Sequence, residues 1–430
     1  MKRNLSTLFI VMAIAMISIV TTSSCGNNSA QRENDTTLII PIDDSLKLRI
    51  DSFIATTPPC GKLGIDVYDI TAQKEVFSYN KDSLMIPASC LKLLTCITSL
   101  RYFGAERMFR DRLYISGSIN GDTLNGNITL KTQFDTFFNR DTLNQMVEAL
   151  NTRGIKAIKG DVVIDMVFTE PMNHEEHWII GDLRTRYMGL VLQGLPRMKT
   201  EISSALRMKG IKVVNGEIRF GRLIPSEATL IAENGCKIRN IVDKALKNSS
   251  NINAEALLYP LGYIIDKNGN YRDNGKRVLR NFLSREIGVN PDFAGHFDDG
   301  CGLCPDNRMT PQVLVQLLNY SAKRPAIYKE VLQSMPLAGV DGTLYNRMKK
   351  PEIQGKLRGK TGTLTRNGGV STLAGYFIGK DKHLIAFAIM NNGCGVEDGR
   401  AWQDNICAKA FKPTEILGEI VDKNKNGLHQ

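Results

Sequence analysis

Only five histidines occur in the 430 residues, at positions 174, 177, 296, 383 and 429. Two of them stand close, in His174-Glu-Glu-His177. That order is not the H-E-x-x-H of a helical zinc peptidase, so zinc hydrolysis is the weakest enzymatic reading. The chain also lacks any run of five or more Lys or Arg and any RNA-binding aromatic motif, which sets nucleic acid aside as a partner. The formal charge of +11 is equally compatible with an anionic envelope or an acidic substrate. The apolar run from Leu8 to Val20 is too short for a membrane span of about 20 residues. There is no internal repeat and no low-complexity tract. What remains is an ordinary globular composition, 42% hydrophobic and 23% charged. At roughly 150 residues per domain, two or three domains are expected.

The N-terminus points to export. Lys2 and Arg3 precede the apolar run, and Thr21-Thr-Ser-Ser-Cys25 follows it. A basic head, an apolar stretch and small residues describe a secretory signal over residues 1–25. Cys25 sits where a bacterial lipoprotein signal places its lipidated cysteine, although Thr22 stands where such signals usually carry Leu. Simple cleavage and a retained anchor are the alternatives. Asn27 to Thr37 is polar and reads as a tether, giving a linker over 26–40. The expected location is the periplasm or cell envelope, with membrane contact only through the signal or a lipid. Nine cysteines are present. In an oxidising compartment some would pair, in a connectivity that sequence does not fix. Cys301-x-x-Cys304 is the only close pair, and no second pair or nearby histidine completes a zinc site.

Leu63 to Ile70, a polar turn over Thr71 to Lys74, and Glu75 to Tyr79 predict a β-hairpin. Leu91 to Phe103 predicts a helix ended by Gly104. Residues 112–232 change texture: a hairpin around Asn120-Gly121, a helix over Leu143 to Asn151, and strands at Ile158 to Asp165 and Gly216 to Phe220. Helical patterns return at Ile241–Leu246, Ala254–Ile264, Arg277–Glu286 and Pro311–Ser321. Three strands follow, at Leu357–Leu364, Val370–Ile378 and Leu384–Asn391, the first two joined through Asn367-Gly-Gly369. Two early and three late strands form one sheet in this reading. The fold class is then α/β (α+β), a catalytic domain of 41–111 and 233–415 with a strand-rich domain, 112–232, inserted.

Three short patterns carry chemistry. Ser89 and Lys92 have S-x-x-K spacing. If Ser89 opens the helix, Lys92 lies one turn on, where a desolvated ammonium can lose its proton and serve as base for the hydroxyl. Ser78 and Lys81 share the spacing but fall in the hairpin, where side chains alternate faces. Ser249-Ser-Asn251 gives S-x-N before a helix: a hydroxyl can relay a proton and an amide can hold a carbonyl. Lys360-Thr-Gly362 is the only K-T-G and lies on a predicted strand, followed by Thr363. Gly362 permits close approach of another backbone. Singly, each has an ordinary reading: a capping serine with a surface lysine, an N-cap cluster, an edge-strand lysine. Their order and setting match the trio of penicillin-binding proteins and β-lactamases.

With that trio the chain resembles the D-alanyl-D-alanine carboxypeptidase/endopeptidase family, the low-molecular-mass class C penicillin-binding proteins. Ser249-Ser-Asn-Ile-Asn-Ala-Glu255 resembles S-D-N-x-x-A-E. Asp299-Gly-Cys-Gly-Leu-Cys304 with Met309-Thr-Pro311 resembles D-G-S-G-L-S…x-T-P. Gly359 to Leu364 and Leu373 to Tyr376 resemble G-K-T-G-T-L and L-A-G-Y. Gly154 to Ile164 resembles the inserted domain. Ser250 departs from the usual Asp, Cys301 and Cys304 replace two serines, and the insertion is short. The resemblance implies a β-lactamase/transpeptidase-like domain with a five-stranded antiparallel sheet flanked by helices. It implies that Ser89 attacks the D-Ala-D-Ala carbonyl and Lys92 is its base. Ser249 passes a proton to the leaving amine, Asn251 holds the substrate amide, and Lys360 with Thr361 binds the terminal carboxylate. Gly362 lines that strand, and the N–H groups of Ser89 and Thr363 form the oxyanion hole. The partners implied are peptidoglycan stem peptides and β-lactams as covalent inhibitors, and no metal or organic cofactor is required.

Two alternatives stay open on sequence. A β-lactamase shares the trio, but there is no E-x-x-L-N and no Tyr two residues before Asn251. A non-catalytic envelope-binding protein on the same fold is motivated by Ser250 and the two cysteines.

Overall fold

The computed structural model describes residues 43–172, 176, 178, 188–290, 295–415 and 417. The signal with Cys25, the tether, and His174 and His177 lie outside these residues.

The described chain enters through α1 (Ser45–Thr56), whose Leu46, Ile50 and Phe53 recur at helical spacing and form its buried stripe. β1 (Lys62–Asp69) and β2 (Lys74–Tyr79) make the expected hairpin. A 3₁₀ turn, Ala88–Leu91, runs directly into α2 (Lys92–Phe103), and Gly104 ends that helix with φ 74°.

From here the chain builds a seven-stranded sheet. Its strands are β3 (Met108–Asn120), β4 (Thr123–Lys131), β5 (Ala157–Lys159), β6 (Val162–Asp165), β7 (Lys212–Val214), β8 (Ile218–Phe220) and β9 (Ala228–Lys237). The order is β7-β5-β4-β3-β9, with β6 beside β4 and β8 beside β6. β3 pairs antiparallel with β4 and β9, and the remaining pairings are parallel. Two helices, α3 (Arg140–Asn151) and α4 (Gly194–Met208), belong to this stretch. The outer strands reach 108 and 237, a few residues beyond 112 and 232. The single strand expected over 158–165 is two strands, because the Asn127 side chain takes the Asp161 N–H at 2.7 Å and interrupts the ladder.

The chain then forms α5 (Ile238–Lys247), α6 (Asn251–Ala256), α7 (Leu258–Ile265), α8 (Tyr271–Phe282), α9 (Pro311–Ala322) and α10 (Pro325–Ser334). The helix expected over 254–264 is split between α6 and α7. Pro260 has no N–H to donate to Ala256, so the helical ladder cannot run through. Last come β10 (Leu357–Leu364), β11 (Val370–Ile378), β12 (Leu384–Asn392) and α11 (Val396–Ile406).

These late strands join the first hairpin in a five-stranded antiparallel sheet, ordered β10-β11-β12-β1-β2. Alternation along the strands gives the sheet two apolar faces. Leu63, Ile65, Val67, Phe387 and Ile389 face α1 and the Trp402 and Ile406 side of α11. Ala386, Ala388 and Met390 face a cluster with α2, α5 and α9 that continues into the seven-stranded sheet. A disulfide between Cys60 and Cys394, with Cα atoms 5.6 Å apart, ties the entrance of β1 to the exit of β12. The close sequence pair Cys301 and Cys304 is not bonded together; both are buried thiols.

Candidate active site

The 3₁₀ turn brings Ser89 and Lys92 onto one face, since residues three apart eclipse in that geometry. Entry to the turn is strained: Ala88 has φ 44°, a left-handed conformation that a residue with a Cβ rarely adopts. The Lys92 side chain is wholly buried. Its Nζ donates to Ser89 Oγ at 2.8 Å, to Asn251 Oδ1 at 2.7 Å and to the Cys301 carbonyl at 2.7 Å. Burial lowers its pKa below the ordinary lysine value, against an opposing pull from Cys301 and the Asp299 carboxylate.

Asn251 arrives from the second pattern. α5 ends at Lys247, Ser249 turns the chain with φ 56°, and Ser250 caps α6 by accepting from the Asn253 N–H at 3.4 Å. The hydroxyl of Ser250 thus does the capping that a carboxylate would do at this position. Ser249 Oγ accepts from Lys360 Nζ at 2.9 Å, so S-x-N touches both other patterns.

The third pattern lies on β10, at the edge of the five-stranded sheet. Lys360 is also wholly buried, and its Nζ further donates to the Thr361 carbonyl at 2.7 Å. Burial, followed by the nearby Lys92 charge, lowers it to about 7. Thr361 Oγ1 lies 2.6 Å from Thr343 Oγ1. Thr363 Oγ1 accepts from Arg400 Nη2 at 3.1 Å. Gly362 is obligatory in a steric sense: a Cβ there would stand 2.0 Å from Thr372 Oγ1, 2.7 Å from the Pro87 carbonyl and 3.0 Å from the Ser89 nitrogen. Its hydrogen lets β10 press against the Ser89 turn. Two more bonds pin that contact, Cys90 Sγ to the Lys360 carbonyl at 3.1 Å and Thr372 Oγ1 to the Pro87 carbonyl at 2.8 Å.

The Cys301 carbonyl was not expected. It sits in a loop that the Asp299 carboxylate winds around itself. Asp299 accepts from the N–H groups of Cys301, Gly302, Leu303 and Cys304 and from Asn307 Nδ2, all within 3.2 Å. Glu255, pushed up to about 7 by burial, holds the Gly300 N–H at 2.6 Å and the Arg272 guanidinium at 2.5 Å. The loop then offers two carbonyls to α2: Gly300 to Thr95 Oγ1 at 2.7 Å and Cys301 to Lys92. A main-chain acceptor leaves no mark on residue type, so only the D-G-x-G-L stretch hinted at it. Arg400, alone on a helix, gave no signal.

Among the described residues two groups have metal-ligand composition, Asp69 with Asp381 and His383, and Glu255 with Asp299 and Cys301. In the second, both carboxylates are already committed to N–H donors, which repel a cation. In the first, His383 Nδ1 lies 2.7 Å from Asp69 Oδ2, and Asp69 and Asp381 also hold the N–H groups of Ala72 and His383. This group fastens turns of the sheet to one another.

The arrangement is a hydroxyl beside a desolvated amine, with a second hydroxyl–amine pair behind it. Such a set can activate a serine oxygen and move protons without a metal. Comparison with known proteins gives the family. The model of the D-Ala-D-Ala carboxypeptidase 3 (S13) family matches residues 46–193 and 196–411. The D-alanyl-D-alanine carboxypeptidase DacB of Haemophilus influenzae is 21% identical over 437 residues, 82% of this chain and 89% of that one. A D-alanyl-D-alanine carboxypeptidase of an Actinomadura species is 33% identical over 215 residues, 48% of this chain and 38% of its own length. The crystal structure of penicillin binding protein 4 (dacB) from H. influenzae has a TM-score of 0.72 at 20% identity, over 84% of this chain and 99% of that chain. That protein has also been solved in complex with a β-lactam. The structural likeness establishes a shared fold, and the family match covers most of the chain. This chain therefore belongs to the D-Ala-D-Ala carboxypeptidase 3 (S13) family and is a serine carboxypeptidase.

Proposed function

We propose that the chain is a secreted D,D-carboxypeptidase and endopeptidase that cleaves D-Ala-containing peptidoglycan stem peptides through an acyl-enzyme on Ser89. The observation that carries the reading is the surroundings of Lys92 Nζ. Two of its three partners, Asn251 Oδ1 and the Cys301 carbonyl, can only accept. A neutral amine has two N–H groups and one lone pair. The two fixed acceptors take the N–H groups, and the lone pair remains on the Ser89 side, 2.8 Å from Oγ. Neutral Lys92 then takes the Oγ proton as Oγ bonds to the carbonyl carbon of the penultimate residue.

The developing oxyanion meets the Ser89 and Thr363 N–H groups. Gly359 donates away from β11, to the Pro336 carbonyl, and the alternation of an antiparallel strand turns the Thr361 and Thr363 main chain toward the same outer edge. Such a donor contributes about 3–4 kcal/mol in comparable sites. As the C–N bond breaks, Ser249 gives its proton to the leaving amine and regains one from Lys360, whose value of about 7 suits exchange near neutrality. Asn251 keeps its amide N–H groups for a substrate carbonyl. Water then attacks the ester, its proton restores Lys360, and Lys92 returns the first proton to Ser89.

The signal over 1–25 and the Cys60–Cys394 disulfide support an oxidising envelope compartment, with Cys25 as the lipid site. Residues 112–232 are read as an accessory domain inserted into the catalytic domain of 41–111 and 233–415, which the separate seven-stranded sheet supports. β-Lactams, which carry an acylating carbonyl, are expected to trap Ser89. Intact-mass measurement with benzylpenicillin, followed by peptide mapping, tests the reading. The expected result is a stable adduct on Ser89 that Ser89→Ala abolishes. Penicillin destroyed without an adduct would mean β-lactamase turnover. Penicillin left intact without an adduct would contradict the proposal.

A further inference from the structure

Ser249 stands in a costly conformation. Its φ of 56° is left-handed, and a residue with a Cβ persists there only when its surroundings over-determine it. The same turn brings Oγ within 2.9 Å of Lys360 Nζ. The chain must therefore be held on both sides of Ser249. From one side α5 holds it, since the Ser250 N–H bonds back to the Lys244 carbonyl at 3.1 Å.

From the other side the hold comes from the seven-stranded sheet. Asn253, in the first turn of α6, donates twice to Ser250 Oγ, from its main-chain N–H at 3.4 Å and from Nδ2 at 2.9 Å. Its Oδ1 accepts from Thr136 Oγ1 at 2.7 Å. Thr136 and Asn253 are both buried, where a hydrogen bond is stronger than in water and a lost partner is not replaced by solvent. Thr136 lies in the segment 132–139 that joins β4 to α3, and that segment is itself anchored. The Phe134 ring packs 5.5 Å from Phe109 of β3 and 5.6 Å from Tyr263 of α7. Asp135 Oδ1 accepts the Phe137 N–H at 2.7 Å, and the Phe138 carbonyl accepts the Leu190 N–H at 2.7 Å. The route Thr136–Asn253–Ser250 thus runs from a fixed loop to the neighbour of Ser249. Asn251 has a separate hold, its bond to Lys92 Nζ at 2.7 Å.

We infer that Thr136 and Asn253 are positioning residues, which through Ser250 keep Ser249 in the orientation from which it hands its proton to the leaving amine. The inference rests on the function proposed above and goes beyond it by giving the seven-stranded sheet a part in catalysis. Releasing this strut lets Ser249 relax to negative φ and withdraws its hydroxyl from Lys360. The event that suffers is protonation of the departing nitrogen as the C–N bond breaks. A thiolate, whose thiol has a pKa of about 8.5, departs without that proton. A thioester is therefore spared.

The test compares an acylated D-Ala-D-Ala peptide with a thioester of the same acyl group. It uses the wild type, Thr136→Val, Thr136→Ser, Asn253→Leu and the double variant of Thr136→Val with Asn253→Leu, with thermal unfolding recorded so that rates refer to folded protein. Valine keeps the shape of threonine and removes only the hydroxyl, so Thr136→Val decides the question even if Asn253→Leu fails to fold. It should lower kcat/KM roughly tenfold for the peptide and no more than about twofold for the thioester, as misplacement of a proton donor does. Thr136→Ser, which keeps the hydroxyl, should restore most of the peptide rate. The double variant should be no slower than the slower single one, because both changes break one contact. An unchanged peptide rate in Thr136→Val, equal slowing of peptide and thioester, or no recovery in Thr136→Ser would overturn the inference while leaving the serine mechanism standing. So would effects that multiply in the double variant. No cleavage of the peptide by the wild type would overturn the proposed function and this inference with it.

Discussion

Strands β10 and β9, one in each sheet, handle charge in opposite ways. In the five-stranded sheet β10 is buried along nearly its whole length, Lys360 included. In the seven-stranded sheet β9 is mostly half-buried or exposed, and its charges pair across the surface. Arg112 on β3 meets Glu233, its register partner on β9, at 2.5 Å, and Arg219 on β8 meets Asp161 at 2.6 Å. Each of these four side chains is at least a quarter exposed. Such pairs are screened and contribute between nothing and about 1 kcal/mol. Removing an ammonium from water costs several kcal/mol. Lys92 and Lys360 avoid that cost by giving up the proton more easily, which is what makes an amine a base. Burying Lys360 on β10 behind the Ala88–Leu91 turn, and Lys92 at the start of α2, therefore sets up a reactivity that the surface ion pairs of β9 lack.

Substitutions can break or sharpen this contrast. Lys92→Met should slow Ser89 acylation by about 10³- to 10⁴-fold, the upper range for losing a general base, while the protein stays folded. Stopped-flow acylation with urea unfolding checks both halves. Asp299→Ala removes the acceptor of five N–H groups and should cost about 3–5 kcal/mol, as when one partner of a buried charged cluster is deleted. Acylation should fall with it, because the Cys301 carbonyl loses its place. The paired change Cys60→Ser with Cys394→Ser should cost about 2–4 kcal/mol by urea unfolding, with acylation of the folded protein retained. On the other sheet, Arg112→Ala should cost less than about 1 kcal/mol and leave acylation unchanged. A large catalytic loss from Arg112→Ala would dissolve the contrast.

The parts of the site that the sequence disclosed are those whose chemistry lives in side chains at fixed spacing. Ser89 and Lys92 meet because a helical turn brings residues three apart together, and Gly362 stood out because β10 needs a residue without a Cβ. The strands of the five-stranded sheet were legible from apolar runs closed by turns such as Asn367-Gly-Gly369. The unread parts depend on the main chain or on distant partners. The Cys301 carbonyl has no residue signature, and the Asp299 nest is a property of a loop's path. The Cys60–Cys394 bond joins residues 334 apart in sequence, which spacing cannot pair. Arg400 became visible only when α11 was seen beside β10. The break at Asp161 hides in one asparagine side chain that intercepts a ladder bond.

The central claim is that a buried, neutral Lys92 activates Ser89. The most direct measurement is the rate of Ser89 acylation by benzylpenicillin across pH, in the wild type and in Lys92→Met. The base acts only when unprotonated, so the rate should rise as pH rises through the Lys92 pKa. Burial holds that pKa below the ordinary lysine value, so the rise should be centred below the usual lysine pKa of about 10.4. The limb should vanish in Lys92→Met. A limb that stays near the ordinary lysine value, or one that survives the substitution, would contradict the account.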